Sequence, residues 1–425
     1  MTDDSQSAET PARPLRILIG ADTFAPEING SATFAASLAG GLVRRGHDVH
    51  IVAPAGTYRG HGTFIEEHGG EKVTVHRLFS ARWYPHPWLR FAIPWRIEQN
   101  SARILDEVKP DVVHFQSHIV TGRGLSHQAQ KRGIRIIGTN HLMPENLLDH
   151  TAIIPKPLVG WALRRYWAAV MRTYGRAEAV TTPTRRAADY LEANTTLRGV
   201  IAVSCGIDAH NYTPNFEPRT ENLIVFVGRV TGEKQIDKLI EAFAKLAPEL
   251  NAKLEIVGGG EIERELKALA HSLGLGDRIR FRGYVSNEEL RDALTRATVF
   301  AMPSIAELQS IATMEAMASG LPIVASNAMA LPHLVHDGEN GYLVEPGDVD
   351  EFAARLTDVL TMPPADLERM KRESLRIVAA HDIQTTLDIF EALYRGEKVS
   401  DPIIEPPLPP RPAWREMLAR VRSRK

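Results

Sequence analysis

Strand-like apolar runs alternate with helix-like periodicity twice along this chain, and no other feature limits its possible folds as much. From Arg16 the segment RILIGAD is a short apolar run of the kind buried on both faces of a sheet. The loop TFAPEINGSA follows, then TFAASLAGGLVRRG with apolar residues at helical spacing, then the strand DVHIVAP. Strand, helix and strand in this order make a βαβ unit. KVTVHRL, DVVHFQ, RIIGTN and AVTTPT continue the scheme, with helical patterns between most of them. Such alternation predicts a parallel sheet covered by helices.

A polar, turn-rich stretch at 204–222, SCGIDAHNYTPNFEPRTEN, interrupts the pattern and reads as a linker. A second series then begins. Its strands are LIVFVGR, KLEIVGG, IRFRGYV, TVFAMPS and LPIVASN, and its helices include QIDKLIEAFAKLA, EIERELKALAHSLG and LQSIATMEAMASG. The expected fold is α/β, with two doubly wound Rossmann-like domains facing each other across a cleft. In such sheets ligands bind beyond the carboxyl ends of the strands. The first domain is expected over 14–205, completed by a C-terminal helix near 382–397, and the second over 206–381. Residues 1–13 lack the basic start and apolar run of a signal peptide and are expected to be a disordered tail. Residues 398–425 read as a proline-rich linker and a basic amphipathic tail.

The chain's 425 residues suit two large domains. The net charge of -2 argues against a global nucleic-acid binder. Cys205 is the single cysteine, which excludes an intrachain disulfide and a Cys-based zinc cage and fits a reducing cytoplasm. No run of 18 or more apolar residues suggests a membrane span.

Four loops after strands carry candidate chemistry. In ELQSIATMEAMASG, Glu307 precedes a helix whose first amides, around Ser310, Ile311 and Ala312, would suit a diphosphate. Glu307 could accept hydrogen bonds from sugar hydroxyls, and Glu315, two turns on, could hold a ribose. In VGRVTGEK, Arg229 and Lys234 are cations at a strand end, suited to a pyrophosphate and to charge on a leaving diphosphate. Gly30 in PEINGSA would let the backbone approach a ligand closely. His141 in GTNHLMPEN follows a strand and could bond a sugar hydroxyl. Taken singly, these residues also read as a capped amphipathic helix, solvated cations, a turn glycine and a structural histidine. Asp348-Val349-Asp350 imitates a metal-binding Asp-x-Asp, but it precedes an apolar helical pattern and reads as a helix cap.

The four loops in this order resemble glycosyltransferase family 4, whose fold is the two-Rossmann GT-B architecture. The resemblance runs from about Arg16 to about Leu393, and DGENGYLVEPGD and CGIDAHNYTPN are also similar to family segments. It implies a retaining transferase that moves a hexose from a nucleotide-diphosphate sugar without a cofactor or an essential metal. Arg229 and Lys234 would bind the donor diphosphate and assist its departure, Glu307 would contact the transferred sugar and Glu315 the ribose. Gly30 would lie near the phosphates and His141 would line the reaction centre. The family commonly has Gly-Phe-Gly-like residues after the first glutamate, whereas this chain has Leu308, Gln309 and Ser310. Base readout is expected around Tyr284 and Val285. GDP-mannose and UDP-glucose are the expected donors, and no residue decides between them.

Tryptophan and arginine fall together in three places. Trp83, Trp88 and Trp95 lie in one segment, Trp161 and Trp167 in another beside Arg164 and Arg165, and Trp414 in the tail. That tail carries five arginines and one lysine against one glutamate from Arg411 onward. Such pairs favour an anionic membrane surface. The expected acceptor is therefore a membrane glycerolipid or glycolipid, with the protein peripheral on the inner face of the cell membrane. A soluble sugar or polysaccharide acceptor remains the alternative. An epimerase and a non-catalytic nucleotide-sugar binder remain as other classes. An NAD-dependent oxidoreductase is opposed, because GADTFAP lacks the G-x-G-x-x-G fingerprint and Glu263 occupies the third glycine position after Gly258 and Gly260.

Overall fold

The computed structural model describes residues 13–27, 29–83, 86–142 and 156–402. They divide into two compact units, one of 13–27, 35–83, 86–138 and 176–178 and one of 29–34, 139–142, 156–175 and 179–402.

The first unit is built on strands β1 (Arg16–Gly20), β2 (Asp48–Pro54), β3 (Gly62–His68), β4 (Glu71–Leu78), β7 (Val112–Phe115) and β8 (Arg135–Thr139), in the order β8-β7-β1-β2-β4-β3. All pairings are parallel except β3 with β4. Between β4 and β7, the strands β5 (Ser80–Trp83) and β6 (His86–Ala92) form an antiparallel hairpin. Helices α1 (Gly30–Arg44), α2 (Ile97–Val108) and α3 (Thr121–Lys131) make the crossovers, with the first turn of α1 assigned to the second unit. Ile17, Leu18 and Ile19 of β1 are completely buried, as a central parallel strand requires. Each such side chain contributes about 1.5–3 kcal/mol of burial.

The second unit starts with α4 (Lys156–Tyr174), β9 (Ala179–Thr182), α5 (Arg185–Asn194) and β10 (Ile201–Ala202), which pairs parallel with β9. Its main sheet comprises β11 (Leu223–Val227), β12 (Lys253–Val257), β13 (Ile279–Gly283), β14 (Val299–Met302), β15 (Ile323–Ser326) and β16 (Gly341–Val344). These are wholly parallel in the order β13-β12-β11-β14-β15-β16. The connecting helices are α6 (Ile236–Ala244), α7 (Glu263–Ser272), α8 (Asn287–Arg296), α9 (Ile311–Ala318), the short α10 (Leu331–Leu334) and α11 (Val349–Thr361). Helices α12 (Pro364–Val378) and α13 (Ile383–Arg395) end the unit.

Each sheet reverses its winding once. In the first unit the chain leaves β1 toward β2 and returns to its other side at β7. In the second it leaves β11 toward β12 and returns at β14. A crevice opens at such a switch point, beyond the carboxyl ends of the two central strands. In the second unit those ends carry Arg229 and Glu307.

Candidate functional site

The loop after β11 starts at Gly228 and is packed backbone to backbone on the loop after β12. A Cβ at Gly258 would stand 1.9 Å from Gly228 O, and one at Gly260 would stand 2.1 Å from Val230 O. Only glycine permits that approach. The turn Gly232–Lys234 follows. Its Glu233, 8% exposed, accepts from Thr231 Oγ1 at 2.8 Å and pairs with Arg229 Nη2 at 3.1 Å. Burial alone would raise the Glu233 pKa. The Arg229 charge, aided by the Thr231 hydroxyl, instead holds the carboxyl below its ordinary range. The carbonyl of Glu233 accepts from Ile305 N–H at 3.0 Å, tying this turn to the loop after β14. That tie places Lys234 beside Glu307. Lys234 Nζ and Glu307 Oε1 form a hydrogen-bonded ion pair, with side chains only 12% and 10% exposed.

Past Glu307 the chain enters α9. Ser310 is its N-cap and accepts from Thr313 N–H. The amides of Ile311 and Ala312 precede the intrahelical ladder and keep their donors for another acceptor. A Cβ added to Gly30 would lie 3.8 Å from Ile311 Cδ1, so the start of α1 stands beside the start of α9. Two helix N-termini and three side chains (Arg229, Lys234 and Glu307) thus belong to one region. Glu315, further along α9, is half-buried and accepts from the Tyr212 hydroxyl at 2.9 Å. Burial pushes its carboxyl up to about 7, against the opposing Tyr212 hydrogen bond. Tyr284 and Val285 lie apart from these contacts, after β13. Tyr284 is 64% exposed and donates to Gly259 O at 3.3 Å, covering the loop after β12.

His141 follows β8 and is half-buried, its ring 5.0 Å from Phe34. Burial lowers its pKa to about 4, and its Nε2 has no hydrogen-bond partner among the described residues. The ring is therefore neutral at pH 7. Asp348 caps α11 through Glu351 N–H at 2.9 Å, and Asp350 pairs with Lys245. Among the described residues no group of three or more His, Cys, Asp or Glu side chains could hold a metal ion.

Three features escaped sequence reasoning. Glu233 was one neighbour among many until its burial was visible. Gln309, 7% exposed, accepts from Cys205 N–H at 2.7 Å and donates to Ser204 Oγ at 3.0 Å, while Thr184 Oγ1 donates to Leu308 O at 3.1 Å. The polar residue at 309 therefore clamps the loop behind Glu307. In the first unit, Asp22 accepts from Thr121 N–H at 2.7 Å and from the Ser117 hydroxyl, capping α3 at the switch point. Beside it His118 is 4% exposed, and burial lowers its pKa to about 4 against the pull of Asp22. The only sequence signal was its place after the strand DVVHFQ.

Of the membrane candidates, Arg164 and Arg165 are exposed on α4, with the Arg165 guanidinium 5.7 Å from the ring of Trp161. Trp167 corrects its group: it is 8% exposed, packed 5.9 Å from Tyr190, and belongs to the core. The side chains of Trp83 and Trp88, and all of Trp414, lie outside the described residues. No described helix is long and apolar enough to cross a membrane.

Residues 28–211 match the family model described as Glycosyltransferase Family 4, and 211–376 match Glycosyl transferases group 1. An MMP alpha-(1->4)-mannosyltransferase of Mycolicibacterium hassiacum is 31% identical over 64% of this chain and 68% of its own. The chain belongs to glycosyltransferase family 4. It is 28% identical to a GDP-mannose-dependent alpha-mannosyltransferase of Mycolicibacterium smegmatis, over 86% of this chain and 93% of that one. It is also 28% identical to the sulfoquinovosyl transferase SQD2 of Arabidopsis thaliana, over 69% of this chain, and spans 58% of that protein's length. Among solved structures, sucrose-phosphate synthase from Thermosynechococcus elongatus superposes with a TM-score of 0.73 at 19% identity, over 90% and 98% of the two chains. Anabaena Alr3699/HepE, in complex with UDP-glucose, superposes with 0.69 at 16%, over 90% and 100%. The fold is GT-B, and the protein is a glycosyltransferase.

The raised carboxyl of Glu315 predicts a pH signature. Below its ordinary pKa of 4.5 both folded and unfolded states hold the proton. As pH rises toward 7 the unfolded state releases it while the folded state retains it, so stability falls by up to about 1.4 kcal/mol per pH unit. In Glu315→Gln that fall is absent. Urea unfolding of both proteins from pH 4 to 8 should show curves that diverge through this window. Parallel curves would refute the assignment.

Proposed function

We propose that the protein is a retaining hexosyltransferase that moves mannose or glucose from a nucleotide-diphosphate sugar to a membrane glycerolipid or glycolipid. The Lys234–Glu307 pair at the N-terminus of α9 carries this reading. In the free enzyme the ammonium and the carboxylate satisfy each other. A bound donor offers both a better partner: its diphosphate meets Lys234, Arg229 and the amides of Ile311 and Ala312, and its sugar hydroxyls donate to Glu307. Glu315 receives the ribose. As the bond between the anomeric carbon and phosphate oxygen breaks, Arg229 and Lys234 meet the charge that grows on the diphosphate. The acceptor oxygen bonds the same carbon on the same face, and its proton passes to the departing phosphate. The two cations take the role that a metal has elsewhere, so no metal is needed. The neutral ring of His141 offers its Nε2 to a hydroxyl. Both expected donors have a precedent among similar proteins: one relative is a GDP-mannose-dependent mannosyltransferase, and one structural neighbour is a complex with UDP-glucose. The exposed Trp161, Arg164 and Arg165 support docking on the inner face of an anionic membrane.

Thermal unfolding with GDP-, UDP- and ADP-sugars in metal-free buffer tests the donor site. A ligand at 100 times its Kd adds about 2.7 kcal/mol. Stabilisation by one nucleotide class is expected, and it should vanish in Arg229→Ala and Glu315→Ala. If no nucleotide sugar stabilises the protein, or if the variants respond equally, the donor site lies elsewhere.

A further inference from the structure

The first unit contains an open cavity of about 490 Å³ that the donor chemistry does not use. It lies past the carboxyl ends of β2 and β4, which pair parallel, and is lined by Thr57, Tyr58, Phe79, Ser80, Arg82 and Arg90 among others. Arg82 and Arg90 are register partners in the β5–β6 hairpin. Like charges directly opposite each other on antiparallel strands repel, with Cβ atoms roughly 4.5–5.5 Å apart. Among the described residues neither guanidinium forms an ion pair with a carboxylate. Arg90 is fixed by neutral groups, its Nε donating to Ser80 Oγ at 2.8 Å and Ala55 O at 3.2 Å and its Nη2 to Ser80 O at 2.8 Å. Arg82 is exposed, and no described residue hydrogen-bonds or ion-pairs with it. The neighbouring carboxyl is Glu27, which accepts from Arg90 N–H at 3.1 Å. Burial raises Glu27 to about 7, so it is a weak counter-charge at neutral pH. On the same wall Tyr58 is 67% exposed and stands edge-on to Phe79 at 5.0 Å.

Two opposed guanidiniums without a strong counter-charge, beside an exposed aromatic ring, describe a receptor for an oxyanion carried on an apolar-faced ring. We propose that this cavity is an acceptor subsite for a phosphorylated sugar or polyol, whose phosphate sits between Arg82 and Arg90 and whose ring packs against Tyr58. This rests on the transferase reading and adds the acceptor's chemical class: an anionic one. The phosphate can belong to a free sugar phosphate or to a phospholipid head group.

Calorimetry on the full chain without donor separates these sources. Glucose 6-phosphate is titrated against glucose. Phosphatidylcholine vesicles with and without phosphatidylglycerol form the second arm. Arg82→Gln disturbs no described partner and should leave folding intact. Glucose 6-phosphate is expected to bind while glucose does not, and Arg82→Gln should weaken it at least tenfold. Response only to anionic vesicles, lost in Arg82→Gln, would assign the phosphate to lipid. Equal binding of glucose and glucose 6-phosphate, no binding in either arm, or unchanged affinity in Arg82→Gln would overturn the proposal. Nucleotide-sugar stabilisation is measured on the same samples. If it persists when the anion arms fail, the transferase reading stands and the subsite alone is lost.

Discussion

Glu307→Ala should lower the unfolding free energy by about 3–5 kcal/mol, whereas the double variant Lys234→Met/Glu307→Leu should stay close to the parent or exceed it. The asymmetry follows from burial. Both side chains are about nine-tenths covered, and Glu307 is the ammonium's hydrogen-bonded ion-pair partner. Removing one partner strands a charge with little water. Removing both leaves apolar groups of similar volume where the desolvation cost disappears. Urea unfolding of the three proteins decides the matter, and equal losses in single and double variants would mean that the pair is not what stabilises this region. The double variant should also be unresponsive to nucleotide sugars. On the proposed reading this is why a costly buried pair is kept in a position that apolar packing would fill more stably: the donor needs both charges.

The sequence announced this region better than it explained it. Parallel strands buried on both faces are continuous apolar runs, so β1, β2, β4, β7, β8 and β9, and β11, β12, β14 and β15, were legible within a residue or two, and the edge strand β13 was legible from the alternating Ile279 and Phe281. The other edge elements were not. GTFIEEH of β3 is mostly exposed and carries no apolar run, the β5–β6 hairpin looked like a tryptophan-rich surface segment, and β16 was hidden in a turn-rich stretch. At the site, Arg229, Lys234 and Glu307 were readable because each follows a strand. Their supports were not, because those pair residues far apart in sequence: Tyr212 with Glu315 and Gln309 with Cys205. No local periodicity encodes such contacts. Trp167 shows the converse error, where composition suggested a surface role and helical phase put the ring inside.

On the proposed reading Arg229→Ala should reduce kcat/KM by about 10²–10³, with most of the loss in kcat, because that reading puts the cation where charge accumulates on the departing diphosphate. A structural effect accompanies it. Arg229 holds the buried Glu233 ionised, and without the guanidinium that carboxylate keeps the Thr231 hydroxyl, its own backbone N–H and Lys234 as support. Stability should therefore fall by about 1–3 kcal/mol. Adding Glu233→Gln to Arg229→Ala separates the two effects. The amide needs no counter-charge, so the double variant should regain the lost stability and fold with its Ile305 and Ser304 contacts to the Glu233 carbonyl intact. It should not regain turnover, because no neutral group replaces the cation at the diphosphate. Unfolding curves and initial rates with a donor identified by the stabilisation screen provide both readouts. Recovery of rate together with stability would show that Arg229 acts only by supporting Glu233 and the turn that carries Lys234, and the charge on the leaving diphosphate would then fall to Lys234 and the amides of α9.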